Sequence, residues 1–487
     1  MIATDTAVRT LGSFVNGKWD DGSDRELHPV TNPATGAVIA QAAYANAADV
    51  DRTAKAAHAA FLQWRDVPVV DRVQVLYRYK TLLEKNAEEL ARTLTSENGK
   101  VFDDARVEIR RAIQMVEVAC GMPSLMMGDS LNDVAREIDC HTIRQPLGVC
   151  VGITPFNFPG MVPMWMFPFA IACGNSFILK PSEKVPMTPI RATELLHEAG
   201  VPEGVFNLLN GSKDTVDALM AHPLVRAVSF VGSTPIAKYV YETSSKYGKR
   251  VQALGGAKNH LVVMPDANLP KSVDAIMSSA FGAAGERCLA GSILVAVGDV
   301  AEPLLDLLVS KTKEMNVGDG MKGAEMGPLI TAEHHKKVVG YINKGEAEGA
   351  TPICDGRKVM ESKTEGFFVG PTIFDNVTPE MTIAREEIFG PVLSVIRVKT
   401  LAEAIDLVNS SAFGNTTSIF TSSGKSAREY QAKVDVGMIG VNIGVAAPMA
   451  FFPFAGWKAS FFGDLHAHGK DAIAFYTEQK VLMTRWF

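Results

Sequence analysis

Gly148-Val149-Cys150-Val151-Gly152-Ile153 runs directly into Thr154-Pro155-Phe156-Asn157-Phe158-Pro159, and the texture of the chain changes at this junction. The first half is a short β-branched run and the second is rich in turn formers, the pattern of a strand that ends in a loop. Two more such runs follow, Ser176 to Leu179 and Ala227 to Val231, separated by helical stretches at Thr188 to Ala199 and Asp214 to Met220. Strands alternating with helices predict a parallel, doubly wound α/β sheet, and such sheets bind ligands beyond the carboxyl ends of their strands.

Working outward, apolar residues fall at helical spacing over Ala43 to Leu62, Asp71 to Leu94 and Val107 to Cys120, so the first part is largely helical. On the other side a second alternation starts near Leu261 and runs through Ile293 to Val297, Ala301 to Lys313, Leu393 to Val398 and Ser418 to Thr421, predicting a second α/β domain. The tail, Ala472 to Trp486, ends in β-branched and aromatic residues, and Asp139 to Gln145 is its expected strand partner.

The chain has 487 residues, room for two or three domains at roughly 150 residues each. Its 48 Lys and Arg against 54 Asp and Glu form no long block of one sign, which argues against nucleic acid and anionic membranes as partners and for small molecules. The six cysteines are widely spaced, with no C-x-x-C and no nearby His pair, so neither zinc nor another metal is expected, and a reducing compartment fits. Met1 to Asp20 has no apolar core of a signal peptide, and the most apolar stretch, Met161 to Cys173, is short and holds two prolines. Both point to a cytoplasmic protein.

Gly285-Glu286-Arg287-Cys288-Leu289-Ala290 sets a cysteine among small residues after the helix-like run Val273 to Ala284. An isolated cysteine is more often buried and inert, and Asn157 beside two prolines is by itself a turn former. The same holds for Lys180 and Glu183, which alone read as solvated charges, and for Ser233-Thr234-Pro235, which alone reads as a helix start.

Together, these segments resemble the aldehyde dehydrogenase superfamily: Thr154 to Pro159, Leu179-Lys180-Pro181-Ser182-Glu183, Phe230-Val231-Gly232-Ser233, the cysteine, and Glu386-Glu387-Ile388-Phe389-Gly390-Pro391 stand in the family's order. The resemblance implies Cys288 as nucleophile and Asn157 as donor to the oxyanion that forms when a thiolate attacks an aldehyde. For NAD it implies Thr154, Phe156, Lys180, Glu183, Lys184, Ser233, Gly255, Glu387 and Phe389. A carboxylate at Glu183 accepts from ribose hydroxyls and repels a 2′-phosphate, favouring NAD over NADP.

In Val251-Gln252-Ala253-Leu254-Gly255-Gly256-Ala257-Lys258, Ala253 is read as standing where hydrolytic members carry the glutamate that activates water. That segment, Glu286-Arg287-Cys288 and the tail motifs Gly440-Val441-Asn442 and Phe475-Tyr476-Thr477 are similar to the CoA-acylating, methylmalonate-semialdehyde dehydrogenase branch. The branch implies oxidative decarboxylation of methylmalonate or malonate semialdehyde, with coenzyme A as acyl acceptor. Arg287 and Arg111, the latter on the helix that resembles the family's substrate funnel, are the expected anchors of the substrate carboxylate. The implied layout is a NAD-binding domain (1–130 and 148–252), a catalytic domain (253–440) and an oligomerisation element (131–147 and 465–487) in a homotetramer. The rival readings are a hydrolytic aldehyde dehydrogenase using Glu286 as base, and a catalytically silent homologue.

Overall fold

The computed structural model describes residues 8–20, 22, 24–361 and 365–487. Four long helices, Ala47–Trp64, Val69–Lys85, Ala87–Asn98 and α1, Phe102–Cys120, and a single turn at Met122–Leu125 precede the central strands. The first is opened by a capping box in which Asn46 accepts from the N–H of Ala48 and Asp49 while Asp49 accepts from the N–H of Asn46. The single helix expected over Asp71 to Leu94 is two, because Asn86 closes the first by donating its side-chain amide to Leu82 C=O (2.7 Å) and stands at φ −106° before the second. Helix α1 starts earlier than its periodicity predicted and buries Ala105, Glu108, Ile109, Ala112, Met115, Val116 and Ala119 at three- and four-residue spacing. Glu108 is the one charge on that apolar face.

Five parallel strands follow: β1 (Val149–Ile153), β2 (Ser176–Lys180), β3 (Phe206–Leu208), β4 (Val225–Val231) and β5 (Arg250–Leu254). Their order is β5-β4-β1-β2-β3, with Phe461–Phe462 and Phe14–Val15 as antiparallel neighbours at the two ends. The chain moves outward from β1 through β2 to β3, then returns to build β4 and β5 on the other side. The carboxyl ends of β1 and β4 therefore flank the switch point at which such sheets bind ligands. This first sheet continues past 252, to Leu254, and takes Phe461–Phe462 from beyond 440.

The second sheet contains β6 (Asn259–Val263), β7 (Gly291–Val297), β8 (Thr372–Asp375), β9 (Val392–Val398), β10 (Thr416–Phe420) and β11 (Met438–Val441), in the order β8-β9-β7-β6-β10-β11. All are parallel, with Thr351–Cys354 antiparallel on the outer edge of β8. Each sheet has its own apolar core, in keeping with a doubly wound fold twice over.

The tail begins as a helix, Gly469–Tyr476, and only then extends as Thr477–Arg485, which pairs antiparallel with Ile138–Pro146 from Thr477 opposite Pro146 to Arg485 opposite Ile138. Ser130–Ala135 completes this small sheet, which leaves Leu131, Val481 and Met483 exposed. Among the described residues no helix is long and apolar enough to cross a membrane.

Candidate active site

Helix α2 (Leu269–Phe281) stops at Gly282, and the next three residues turn left-handed in succession: Ala283 (φ 49°), Ala284 (φ 54°) and Gly285 (φ 72°). Left-handed alanines cost about 1–2 kcal/mol each, so surrounding contacts must hold them. Asp104 does so from α1, accepting the Ala283 N–H (3.1 Å), and at Gly285 a Cβ would sit 2.4 Å from Gly390 C=O. The turn lays Glu286-Arg287-Cys288 across the ends of the second sheet, where the Cys288 carbonyl accepts from the side-chain amides of Asn259 (2.9 Å) and Asn415 (2.8 Å).

Cys288 is half-buried at a cavity of about 390 Å³ that Arg287, Arg111, Asp104, Phe158 and Trp165 also line. Burial pushes its thiol up to about 12, and the charge of Glu387 adds to the rise. In the free protein the sulfur is therefore a thiol at neutral pH, and attack needs a proton acceptor or added positive charge near it. The other free cysteines lie elsewhere in the fold.

Asn157 is buried, and its side-chain amide donates one N–H to Glu286 C=O at 3.0 Å. A carboxamide nitrogen carries two hydrogens, so one is left for an oxyanion. The loop that carries it is held by residues that sequence reasoning missed. Asn98 donates to Phe156 C=O (2.9 Å), Lys100 to Asn157 C=O (2.6 Å), and Glu108 accepts from the N–H of Gly160 (2.8 Å) and Met161 (3.1 Å). The available signal was Glu108 on an otherwise apolar helix face.

The two arginines differ. Arg287 is paired with Asp104 (2.8 Å) and donates to Ser278 C=O, and a Cβ at Gly282 would lie 2.4 Å from its Nη1, so glycine there makes the room its guanidinium fills. Arg111 bonds Gln114 Oε1 (3.2 Å) and reaches Met449 Sδ and Ala447 C=O, with no acidic partner among the described residues. The cavity thus holds one guanidinium that has only neutral partners among the described residues and one held by a single carboxylate.

Across the cleft the nucleotide candidates stand at strand ends. Lys180, the last residue of β2, is buried and pairs with Glu183 at 3.1 Å. Burial works against the Glu183 carboxylate, but Lys180, backbone N–H and Lys184 outweigh it and hold its pKa below the usual value. The Lys184 ammonium lies 5.0 Å over the Phe156 ring, which meets Phe389 edge-on at 5.8 Å. Phe389 sits at φ 58°, fixed by its carbonyl's 2.7 Å hydrogen bond to His334, whose ring burial keeps neutral with a pKa of about 4. The Thr154 hydroxyl is buried at the end of β1 without a hydrogen-bond partner. Ser233 stands at the N-cap of the helix Thr234–Lys246, but its exposed hydroxyl makes no cap bond. Thr234 instead accepts from Gly256 N–H (2.8 Å) and donates to Ala459 C=O. Gly255 donates to Ser460 C=O (2.9 Å), and Gly256 leaves the space that the Glu387 carboxylate enters to accept from Ala257 N–H (2.8 Å).

The expectation about Ala253 needs correcting. Neighbouring strands keep partnered residues on one face, and Ala253, opposite Phe230, packs with Val151, Ile153 and Val228. Leu254 points the other way, into the core against which Cys288 packs. The side chain of this strand that shares the thiol's side is Leu254. Glu286, the substitute base considered above, accepts from Ile330 N–H (3.2 Å) and is pushed to a pKa of about 8 by burial. It does not line the Cys288 cavity.

Residues 19–482 match the model of the aldehyde dehydrogenase family. The chain belongs to the aldehyde dehydrogenase family. Within this family it is 52% identical to the malonate-semialdehyde dehydrogenase of Halalkalibacterium halodurans over 477 residues, 98% of each chain, and 52% identical to that of Bacillus cereus over 483 residues, 99% of each. The methylmalonate-semialdehyde dehydrogenase of Oceanimonas doudoroffii has the same fold, with a TM-score of 0.97, 48% identity and coverage of 98% of this chain and 99% of the other. A Sinorhizobium meliloti structure complexed with NAD matches with a TM-score of 0.96, 44% identity and coverage of 98% of each chain. The α/β architecture expected from the alternation is therefore that of the aldehyde dehydrogenases.

Proposed function

We propose that the chain is an NAD-dependent, CoA-acylating semialdehyde dehydrogenase that converts malonate or methylmalonate semialdehyde into acetyl-CoA or propanoyl-CoA, CO2 and NADH. The observation that carries this reading is the composition of the thiol's cavity: Cys288 shares it with Arg287 and Arg111, and neither Ala253 nor Leu254 supplies the base that would activate water. The high identity to curated malonate-semialdehyde dehydrogenases supports it.

The residues around the first sheet's carboxyl edge fit NAD: the Thr154 hydroxyl lacks a protein partner, Ser233 leaves its hydroxyl free, and Glu183 stays ionised beside Lys180. Thr154, Phe156, Lys180, Glu183, Lys184, Ser233 and Gly255 hold the nucleotide, and Glu387 and Phe389 its nicotinamide half. When bound, NAD supplies the hydride acceptor. Once its proton has passed to solvent, the Cys288 sulfur attacks the aldehyde carbon as a thiolate, and the second N–H of Asn157 and the Cys288 N–H meet the oxygen that becomes negative. Loss of hydride from that carbon leaves a thioester on Cys288. Arg287 and Arg111 hold the substrate carboxylate until the C–C bond breaks, CO2 departs, and the electron pair left behind is drawn to the thioester oxygen at Asn157. After a proton is taken up, the thiolate of CoA attacks the thioester carbon and Cys288 leaves.

The same reading assigns 1–130 and 148–254 to nucleotide binding, the second sheet to catalysis, and the exposed small sheet to assembly of a cytoplasmic homotetramer, with valine or inositol breakdown as the setting. Exposed Leu131, Val481 and Met483 support the assembly role. The test is product analysis with malonate semialdehyde, NAD and CoA: acetyl-CoA and CO2 in equal amounts are expected, and free malonate as product contradicts the reading.

A further inference from the structure

Lys100 and Glu108 are a charged pair in the Cys288 cavity that the reaction above leaves without a part. Their side chains are 2% and 0% exposed and their charged atoms 2.5 Å apart. A pair so buried is weak evidence for stability, since desolving two ions offsets most of their attraction, and such pairs are retained where they fix one geometry. What this pair fixes is visible. Lys100 donates to Asn157 C=O (2.6 Å) and lies 4.2 Å over the Phe158 ring, while Glu108 accepts from the N–H of Gly160 and Met161. Gly160 permits this approach, for a Cβ there would be 2.9 Å from Ile109 and 3.2 Å from Glu108. The Asn157 carbonyl and the loop three and four residues beyond it are thus tied to the segment before α1 and to α1 by two charges rather than by a backbone ladder.

Resting on the reading that Asn157 meets the oxyanion, we propose that Lys100 and Glu108 are positioning residues that set the Asn157 carboxamide. Rotation of the Asn157 peptide would swing its carboxamide away from the Glu286 carbonyl it now reaches at 3.0 Å, and with it the second N–H. Lys100 sets the carbonyl side of that peptide, and Glu108 sets the loop three and four residues on. Neither need touch the substrate.

The experiment is single-turnover NADH formation from malonate semialdehyde, in Lys100→Met, Glu108→Gln and the doubly substituted Lys100→Met/Glu108→Gln, each with Asn157 and with Asn157→Ala. In the Asn157 background Lys100→Met is expected to slow the burst about 10- to 100-fold, a loss comparable to or below that of one oxyanion donor. NAD affinity should stay unchanged. In the Asn157→Ala background the same change is expected to slow it by less than about threefold, because residues acting through one group are not additive. Should Lys100→Met leave Glu108 unpaired and fail to fold, the charge-neutral double variant removes that cost and is expected to melt as a folded protein with the same slow burst. Equal slowing in both Asn157 backgrounds, or a parental burst in the folded double variant, overturns the proposal alone. A parental burst in Asn157→Ala overturns the oxyanion reading and the proposal with it.

Discussion

On the nucleotide side of the cleft the Thr154 hydroxyl has no hydrogen-bond partner, the Ser233 hydroxyl makes no cap bond and Lys180 pairs with Glu183 inside one short turn, whereas on the thiol side the reacting groups are braced from far along the chain. Asn157 is held from Lys100, Arg287 from Asp104, and the Cys288 carbonyl from Asn259 and Asn415. A nucleotide is a large ligand with many contacts, so no single one has to be exact in place. A thiol, an oxyanion donor and a carboxylate anchor act on adjacent atoms and must be fixed relative to one another. The comparison implies that substitutions on the thiol side cost rate or substrate selectivity steeply, while those on the nucleotide side change affinity mildly.

The largest effect is expected of Cys288→Ala, which should lower NADH formation by about four orders of magnitude or more, as for other nucleophiles acting within a unit. NAD binding, followed by calorimetry, should stay within a few-fold of parental, and its loss would break the separation between the two sides. Next, Arg287→Gln is expected to lower kcat/KM for malonate semialdehyde by about 2–4 kcal/mol, roughly 30- to 1,000-fold, while leaving propanal turnover nearly unchanged. Gly282→Ala should act in the same direction, because its Cβ would enter the space of the Arg287 guanidinium. Equal losses with both aldehydes would show that Arg287 serves the turn rather than the substrate.

The thiol itself gives a graded test. Because burial raises the Cys288 pKa to about 12, the neutral form predominates until pH approaches that value, and the thiolate fraction grows about tenfold per pH unit below it. Alkylation of the free protein by iodoacetamide at Cys288 should therefore climb steadily from pH 6 to 9, and a plateau below pH 8 would contradict a buried thiol. The smallest effect is expected on the nucleotide side: Glu183→Gln should raise KM for NAD about two- to fivefold and improve use of NADP, within the range of a partly exposed hydrogen-bonding group.

The same contrast explains what the sequence made legible. The β-branched runs at 149–153, 176–179 and 227–231 are local signals, and each became a strand of the first sheet. Lys180 and Glu183 were legible as a pair because both lie in one short turn. The break at Asn86 was not, since the apolar spacing runs through it unchanged. Nor was the brace around Asn157, whose partners lie 57 to 59 positions away at Asn98 and Lys100 and more than 40 away at Glu108, well beyond any pattern a window can detect. The choice between Ala253 and Leu254 needed the strand register, because neighbours in a strand face opposite ways and a shift of one residue exchanges the faces.

The central claim is that the acyl group on Cys288 waits for a thiol, and NADH release from malonate semialdehyde with and without CoA tests it most directly. Without CoA a burst of about one NADH per Cys288 followed by a near stop is expected, with steady turnover restored when CoA is added. Steady turnover at the same rate in the absence of CoA would contradict the account.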